Sequence, residues 1–169
     1  MEAAGKTQWY IGAPNGVVIC VRAARHGQLS GELYHSYSDE SVPFESLKQM
    51  TLAMERLYDW LQFPRRGTNS RSFTTAERPT AIQTERRKLV SDETLLSKHG
   101  DIGTFIVRVQ HRQNSSWQGR ITWMEEDRTI QFRSVWEMIK LMESAVDTVS
   151  AQESESASGE PTWFGVEEN

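Results

Sequence analysis

Apolar residues recur along this chain in two rhythms. At residues 17–21 (VVICV) and 105–109 (FIVRV) they are nearly continuous and largely β-branched, as in a well-buried strand. Downstream of the second run the rhythm has a period of two. Trp117, Gly119, Ile121 and Trp123 fall on one face, and Gln118, Arg120, Thr122 and Met124 on the other. The matching face downstream of the first run is Leu29, Gly31, Leu33 and His35. A turn at Asp39 or Asp127 leads to a short third strand ending at Phe44 or Phe132. Ser46-Leu-Lys-Gln49 and Ser134-Val-Trp-Glu137 then fit the capping box that opens a helix. Apolar residues follow at helical spacing: Leu47, Met50, Met54, Leu57, Leu61 in one case and Val135, Met138, Met142, Val146 in the other.

These rhythms repeat because the chain repeats. Shifted by 88 residues, 16–58 falls on 104–146 without a gap, with 8 of 43 positions identical. Chance would give roughly two or three. The identities (Val21/Val109, Gly31/Gly119, Asp39/Asp127, Phe44/Phe132, Ser46/Ser134, Met50/Met138, Met54/Met142, Glu55/Glu143) stand where strand, turn, cap and helix need them. The expected fold is α+β: a duplicated β-β-β-α unit forming a mainly antiparallel six-stranded sheet, or a partly closed barrel, with two helices on one face and a pseudo-two-fold axis. One unit alone is too small to bury its sheet face. The shared glycine predicts a bulge or a close approach by another backbone.

Four segments follow: a first copy at 1–62, a basic polar linker at 63–103, a second copy at 104–147, and an acidic tail at 148–169 whose low-complexity composition predicts disorder. Within the linker, SDETLLSKHG fits one helical turn. The tail holds five Glu and no Lys or Arg, so of the net charge of −4 the preceding 147 residues carry +1. A nearly neutral body argues against nonspecific DNA binding. The single Cys20 leaves no internal disulfide and reads as a small buried hydrophobe. No run reaches membrane-spanning length and no signal-peptide pattern opens the chain, so a soluble, cytoplasmic protein is expected.

The four histidines fall in no metal-ligand spacing, and no nucleophile elbow, P-loop or dinucleotide fingerprint is present. No enzyme activity, metal or cofactor is expected. The polar wealth lies in RVQHRQNSSWQGRITW (108–123). Alternation places Arg108, Gln110 and Arg112 on one face of the first strand, and the loop and returning strand add Asn114, Trp117, Gln118 and Arg120. Guanidiniums, amides and an indole together suit a small anionic, ring-containing ligand, nucleotide-like by preference. The first copy offers Arg22, Arg25, His26 and Tyr34 at corresponding or adjacent positions, as expected if one asymmetric ligand spans both copies or if one of two sites has decayed.

The segment RVQHRQNSSWQGRITWMEEDRTIQFRSVWEMIKLMESA resembles small bacterial proteins of gut Firmicutes and their mobile elements, which have no established activity. By analogy with phage proteins that sequester nucleotide immune signals, the resemblance implies a counter-defence role without catalysis. The alternative is a protein-interaction adapter using the exposed sheet, Trp136 and a docking tail with Trp163 and Phe164. Trp136 stands off the apolar stripe of its helix, as an oligomer contact would. A single-stranded RNA module comes third, since the body lacks the expected charge.

Overall fold

The computed structural model describes residues 11, 14–67, 73, 86–113 and 116–157. Six strands form one sheet: β1 (Val17–Arg25), β2 (Gln28–His35), β3 (Val42–Phe44), β4 (Gly103–His111), β5 (Gln118–Trp123) and β6 (Arg128–Phe132). Their order across the sheet is β3-β2-β1-β4-β5-β6, and every neighbouring pair is antiparallel. The nearly continuous apolar runs occupy the two central strands, where both faces are covered. Helices α1 (Leu47–Leu61) and α3 (Val135–Ala157) lie on one face. Their Met50, Met54, Met138 and Met142 join Val17, Ile19, Phe105, Val107 and Ile121 in the main core. The fold class is α+β, an open antiparallel sheet.

Both helices start where the serines predict. Ser46 Oγ accepts from the Gln49 amide at 3.2 Å, and Ser134 Oγ from that of Glu137 at 3.1 Å. The return half of the box differs. Gln49 takes the Glu45 amide at 2.8 Å, while the Glu137 carboxylate pairs with Arg133. The glycines answer to backbone crowding. A Cβ on Gly31 would collide with the Cys20 carbonyl oxygen, and one on Gly119 with that of Arg108. On each partner strand the register slips by one residue beside the glycine, between Val21 and Ala23 and between Val109 and His111.

The segment boundaries are refined. Residues 86–103, whose order the composition leaves open, cross the far face of the sheet. Ser36 O accepts the amides of Leu89 (2.7 Å) and Val90 (3.0 Å), and Val21 O accepts that of Ile102 (3.1 Å). Between them the five-residue α2 (Asp92–Leu96), capped by Ser91, buries Leu95 against Ile11, Val18, Cys20, Ile106 and Met124. A few apolar residues sufficed, because the central strands leave Val18 and Ile106 needing cover. The tail boundary also moves. Helix α3 runs on to Ala157, since Ala, Gln and Glu propagate a helix already nucleated upstream. Residues 158–169, with Trp163 and Phe164, lie outside the described residues. Among the described residues no helix is long and apolar enough to cross a membrane.

Cys20 sits in this second core, and burial pushes its thiol up to about 11. Ellman's reagent at pH 8 should leave Cys20 unmodified in the native protein and titrate one thiol after denaturation. At the end of β2, His35 Nδ1 accepts the Tyr37 amide at 3.1 Å. Burial lowers the imidazole below its ordinary 6.5. Between the folded and unfolded values the unfolded chain binds more protons, so stability is full above about pH 6.5 and declines below it. The melting temperature of the wild type should therefore fall more steeply from pH 7 to pH 5 than that of His35→Gln.

Candidate functional site

The β4–β5 hairpin was expected to gather its polar residues on one face, but its bulge prevents this. Strict alternation holds up to Val109. The extra residue, Gln110, then turns Arg112 onto the core side. There Arg112 is 4% exposed. Its Nε donates to Pro64 O at 2.7 Å and its Nη1 to Asp59 Oδ1 at 2.8 Å. Asp59, at the end of α1, also receives Arg66 Nε at 2.9 Å and Nη2 at 2.6 Å. A third Arg66 bond reaches Glu55 Oε1 at 2.9 Å. Arg112 is thus a structural residue that ties the hairpin to α1, and it is withdrawn as a ligand contact. Trp117 is withdrawn too: it is buried in the main core, edge-on to Tyr58 at 5.4 Å. Gln118 spans local backbone, its Nε2 donating to Arg133 O at 3.4 Å. Asn114 lies outside the described residues.

The first-copy residues belong to another place. β1 pairs antiparallel with β4, Val17 opposite Val107 and Val21 opposite Gly103, so the two hairpin tips point in opposite directions. Arg25, at the tip of β1, stands roughly 40 Å from the level of Arg112, at about 3.3 Å per strand residue. No small ligand spans both. Arg22 is already neutralised, with Nη2 3.3 Å from Glu32 Oε2 and Nη1 2.7 Å from His99 O and 3.5 Å from Asp101 Oδ1. Tyr34 donates to Glu32 Oε2 at 2.6 Å, and this bond holds the Glu32 carboxyl below its ordinary range. Arg25 is exposed at its tip.

Arg108 and Arg120 remain. They are direct partners across β4 and β5, so their Cβ atoms lie about 5 Å apart on the face away from α1 and α3. Among the described residues no acid pairs with either. The 88-residue offset maps this pair onto Cys20 and Glu32, where Glu32 neutralises Arg22. Gln131 stands opposite Arg120 on β6. Gln110, two residues on from Arg108, lines a hollow of about 490 Å³ at the hairpin end. Phe63, Arg65, His111 and Gln113 line it as well, all of them exposed. Arg65 has no ion-pair partner among the described residues.

No known family, curated protein or solved structure matches the chain.

Chemically, the hollow offers the Arg65 guanidinium beside the Gln110 and Gln113 amides, the His111 imidazole and the Phe63 ring, while the Arg108–Arg120 pair stands on the sheet face away from α1 and α3, outside that lining. It can hold an anion and cover a flat group. Among the described residues no three His, Cys, Asp or Glu gather closely enough to ligate a metal. The sequence marks Arg65 only as one of several linker arginines, and nothing in it marks Phe63 or His111. Arg65 and Phe63 reach the hairpin through the bonds of Gly67 N to Arg112 O at 3.0 Å and of Arg112 Nε to Pro64 O at 2.7 Å.

Proposed function

We propose that this chain is a non-enzymatic, cytoplasmic binding protein whose ligand is a small anion carrying a flat ring, of nucleotide type, held at the open end of the β4–β5 hairpin. The observation that carries the reading is the opposed Arg108–Arg120 pair. Like charges directly opposite on a sheet destabilise it. Elsewhere the chain neutralises its half-buried arginines with Glu32, Asp59 or Glu55. Half-buried Arg108 has no such partner among the described residues and faces the exposed Arg120, so an incoming anion would supply the missing charge. Gln110 and Gln131 would bond its edges, and Phe63 with His111 would flank its ring. Sequestration fits a site with positive charge and no nucleophile.

The scaffold is, in this reading, a duplicated β-β-β-α unit related by a pseudo-two-fold axis. The register supports it. Val17 pairs with Val107 and Ile19 with Phe105, while an 88-residue shift takes Val17 to Phe105 and Ile19 to Val107. Pairing and repeat are thus mutually consistent about Val18 and Ile106. The two bulges and the Gly31–Phe44 and Gly119–Phe132 pairs obey the same offset. Divergence at Cys20/Arg108 and Glu32/Arg120 would then have made one site from two scaffolds. The adapter reading loses the centre of the free sheet face to Leu95 and Ile11 and keeps Trp136, which is 67% exposed.

The test separates binding from structure by sign. Arg108→Gln with Arg120→Gln should weaken nucleotide binding by at least about tenfold in calorimetric titration. The same change should leave the melting temperature unaltered or raise it, because a repulsion is removed. Phe63→Ala should weaken a mononucleotide and leave inorganic phosphate unaffected. A double variant that melts lower while binding is unchanged would make the pair structural and refute the assignment.

A further inference from the structure

We propose that two copies of this chain pair edge to edge through β6, antiparallel about Ile130, into one continuous sheet. The sheet has two edges, β3 and β6. β3 is three residues long with Pro43 at its middle, and proline has no amide hydrogen to offer an added strand. β6 is five residues long and has no proline, and its Thr129, Ile130 and Gln131 are uncharged and exposed. Such a strand presents a row of outward amides and carbonyls, a template for one more strand. Among the described residues no strand pairs with that side of β6. Ile130 is the side chain that gains most from cover. It is 41% exposed on the helix side of the sheet, opposite the buried Ile121 of β5.

A second copy fits this edge because the edge is complementary to itself. Two antiparallel strands related by a two-fold axis perpendicular to the sheet keep both sets of helices on one face. With the axis at Ile130, that residue meets its own copy, Thr129 stands opposite Gln131, and Arg128 opposite Phe132. A slip of one residue would set helix-side residues against far-side ones. Charge agrees with this register. The exposed Glu126 and Asp127 precede β6, and Arg133, with 84% of its side chain exposed, follows it. Antiparallel pairing carries the acidic end of each strand to the arginine end of the other and sets Asp127 level with Arg133 of the second copy. Parallel pairing would set acid beside acid.

The helix side of the edge is open to the same contact. A cleft of about 230 Å³ lies between α3 and strands β4–β6 and reaches the edge at Arg128 and Ile130, with Leu141 and Thr148 on its helix wall. Among the described residues no strand beyond β6 closes its outer side. Across the two-fold axis the clefts of the two copies adjoin, and Ile130 of each extends the apolar wall of the other. Five residues a side make a small interface, of the weak and reversible class, so the dimer depends on concentration.

Sedimentation velocity of the full chain, from about 1 to about 100 μM, should show a monomer passing into a dimer. Ile130→Lys sets two ammoniums against each other at the axis. It should raise the dissociation constant at least about tenfold and leave the melting temperature little changed. Engineered cysteines read the register, with Cys20 buried and out of reach. Ile130→Cys should oxidise to a disulfide-linked dimer, because directly opposed Cα atoms lie about 5 Å apart. Thr129→Cys should not link to itself, being displaced along the strand, but should link to Gln131→Cys when the two variants are mixed. A chain that stays monomeric at about 100 μM would overturn the proposal. So would a dimer that Ile130→Lys leaves intact, or one in which Thr129→Cys links to itself as readily as to Gln131→Cys.

Discussion

Asp59→Ala should lower the stability of the protein by about 3 kcal/mol, a fall in melting temperature of roughly 10 °C for a domain of this length. The substitution removes one carboxylate that serves two arginines. Arg112 is the expensive one: its side chain is buried, and Asp59 is its ion-pair partner at 2.8 Å. Taking away one member of a buried pair leaves an uncompensated charge, which costs more than the pair contributed. Asp59 is itself 46% exposed, so water replaces part of what is lost and the effect falls at the lower end of the range. Arg66 keeps Glu55 and suffers less. Asp59→Ala combined with Arg112→Met should recover most of the loss, since an apolar chain beside Tyr58 has no charge to satisfy. Urea titration of the two single variants and the double variant reads the coupling directly. The same logic disqualifies Arg112→Ala as a probe of ligand binding, because any loss of binding would follow from a loosened hairpin.

Gly119→Ala should cost about 3 kcal/mol, and Gly31→Ala a similar amount. In each case the new methyl meets the backbone of the neighbouring bulged strand, Arg108–Val109 or Cys20–Val21, and not the movable end of a side chain. Relief would require the central strands to part. Gly27 is the control. It has a φ of +74°, but nothing lies within 4 Å of an added Cβ. Gly27→Ala should therefore cost only the conformational term, about 1 kcal/mol. Equal losses at Gly27 and Gly119 would contradict the close-approach account.

Much of the fold could be read from local pattern. Strand alternation, the serine caps and the apolar stripes of α1 and α3 are each set within a few residues, and each appears in the structure. The site was less legible because its geometry is non-local. Arg112 was placed on the wrong face because one bulged residue inverts the alternation beyond Val109, even though Gly119 signalled that something close was there. Arg22, Arg25 and Tyr34 were grouped with Arg108 because nothing in a linear repeat tells that β1 and β4 pair antiparallel and send their hairpins apart. Arg65 and Phe63 joined the hairpin through a backbone contact that carries no side-chain pattern. Leu95 was a faint signal in a polar stretch, yet it covers the middle of the far face. Arg108 and Arg120 were legible, because alternation still held where they stand.

The most direct measurement is native mass spectrometry of the protein after incubation with a mixed nucleotide pool, beside the Arg108→Gln, Arg120→Gln double variant treated in parallel. A stoichiometric adduct of small anionic mass on the wild type, absent from a folded double variant, is the result expected of a binding site at the hairpin end. A bare mass for the wild type, or an adduct retained in full by the variant, would contradict it.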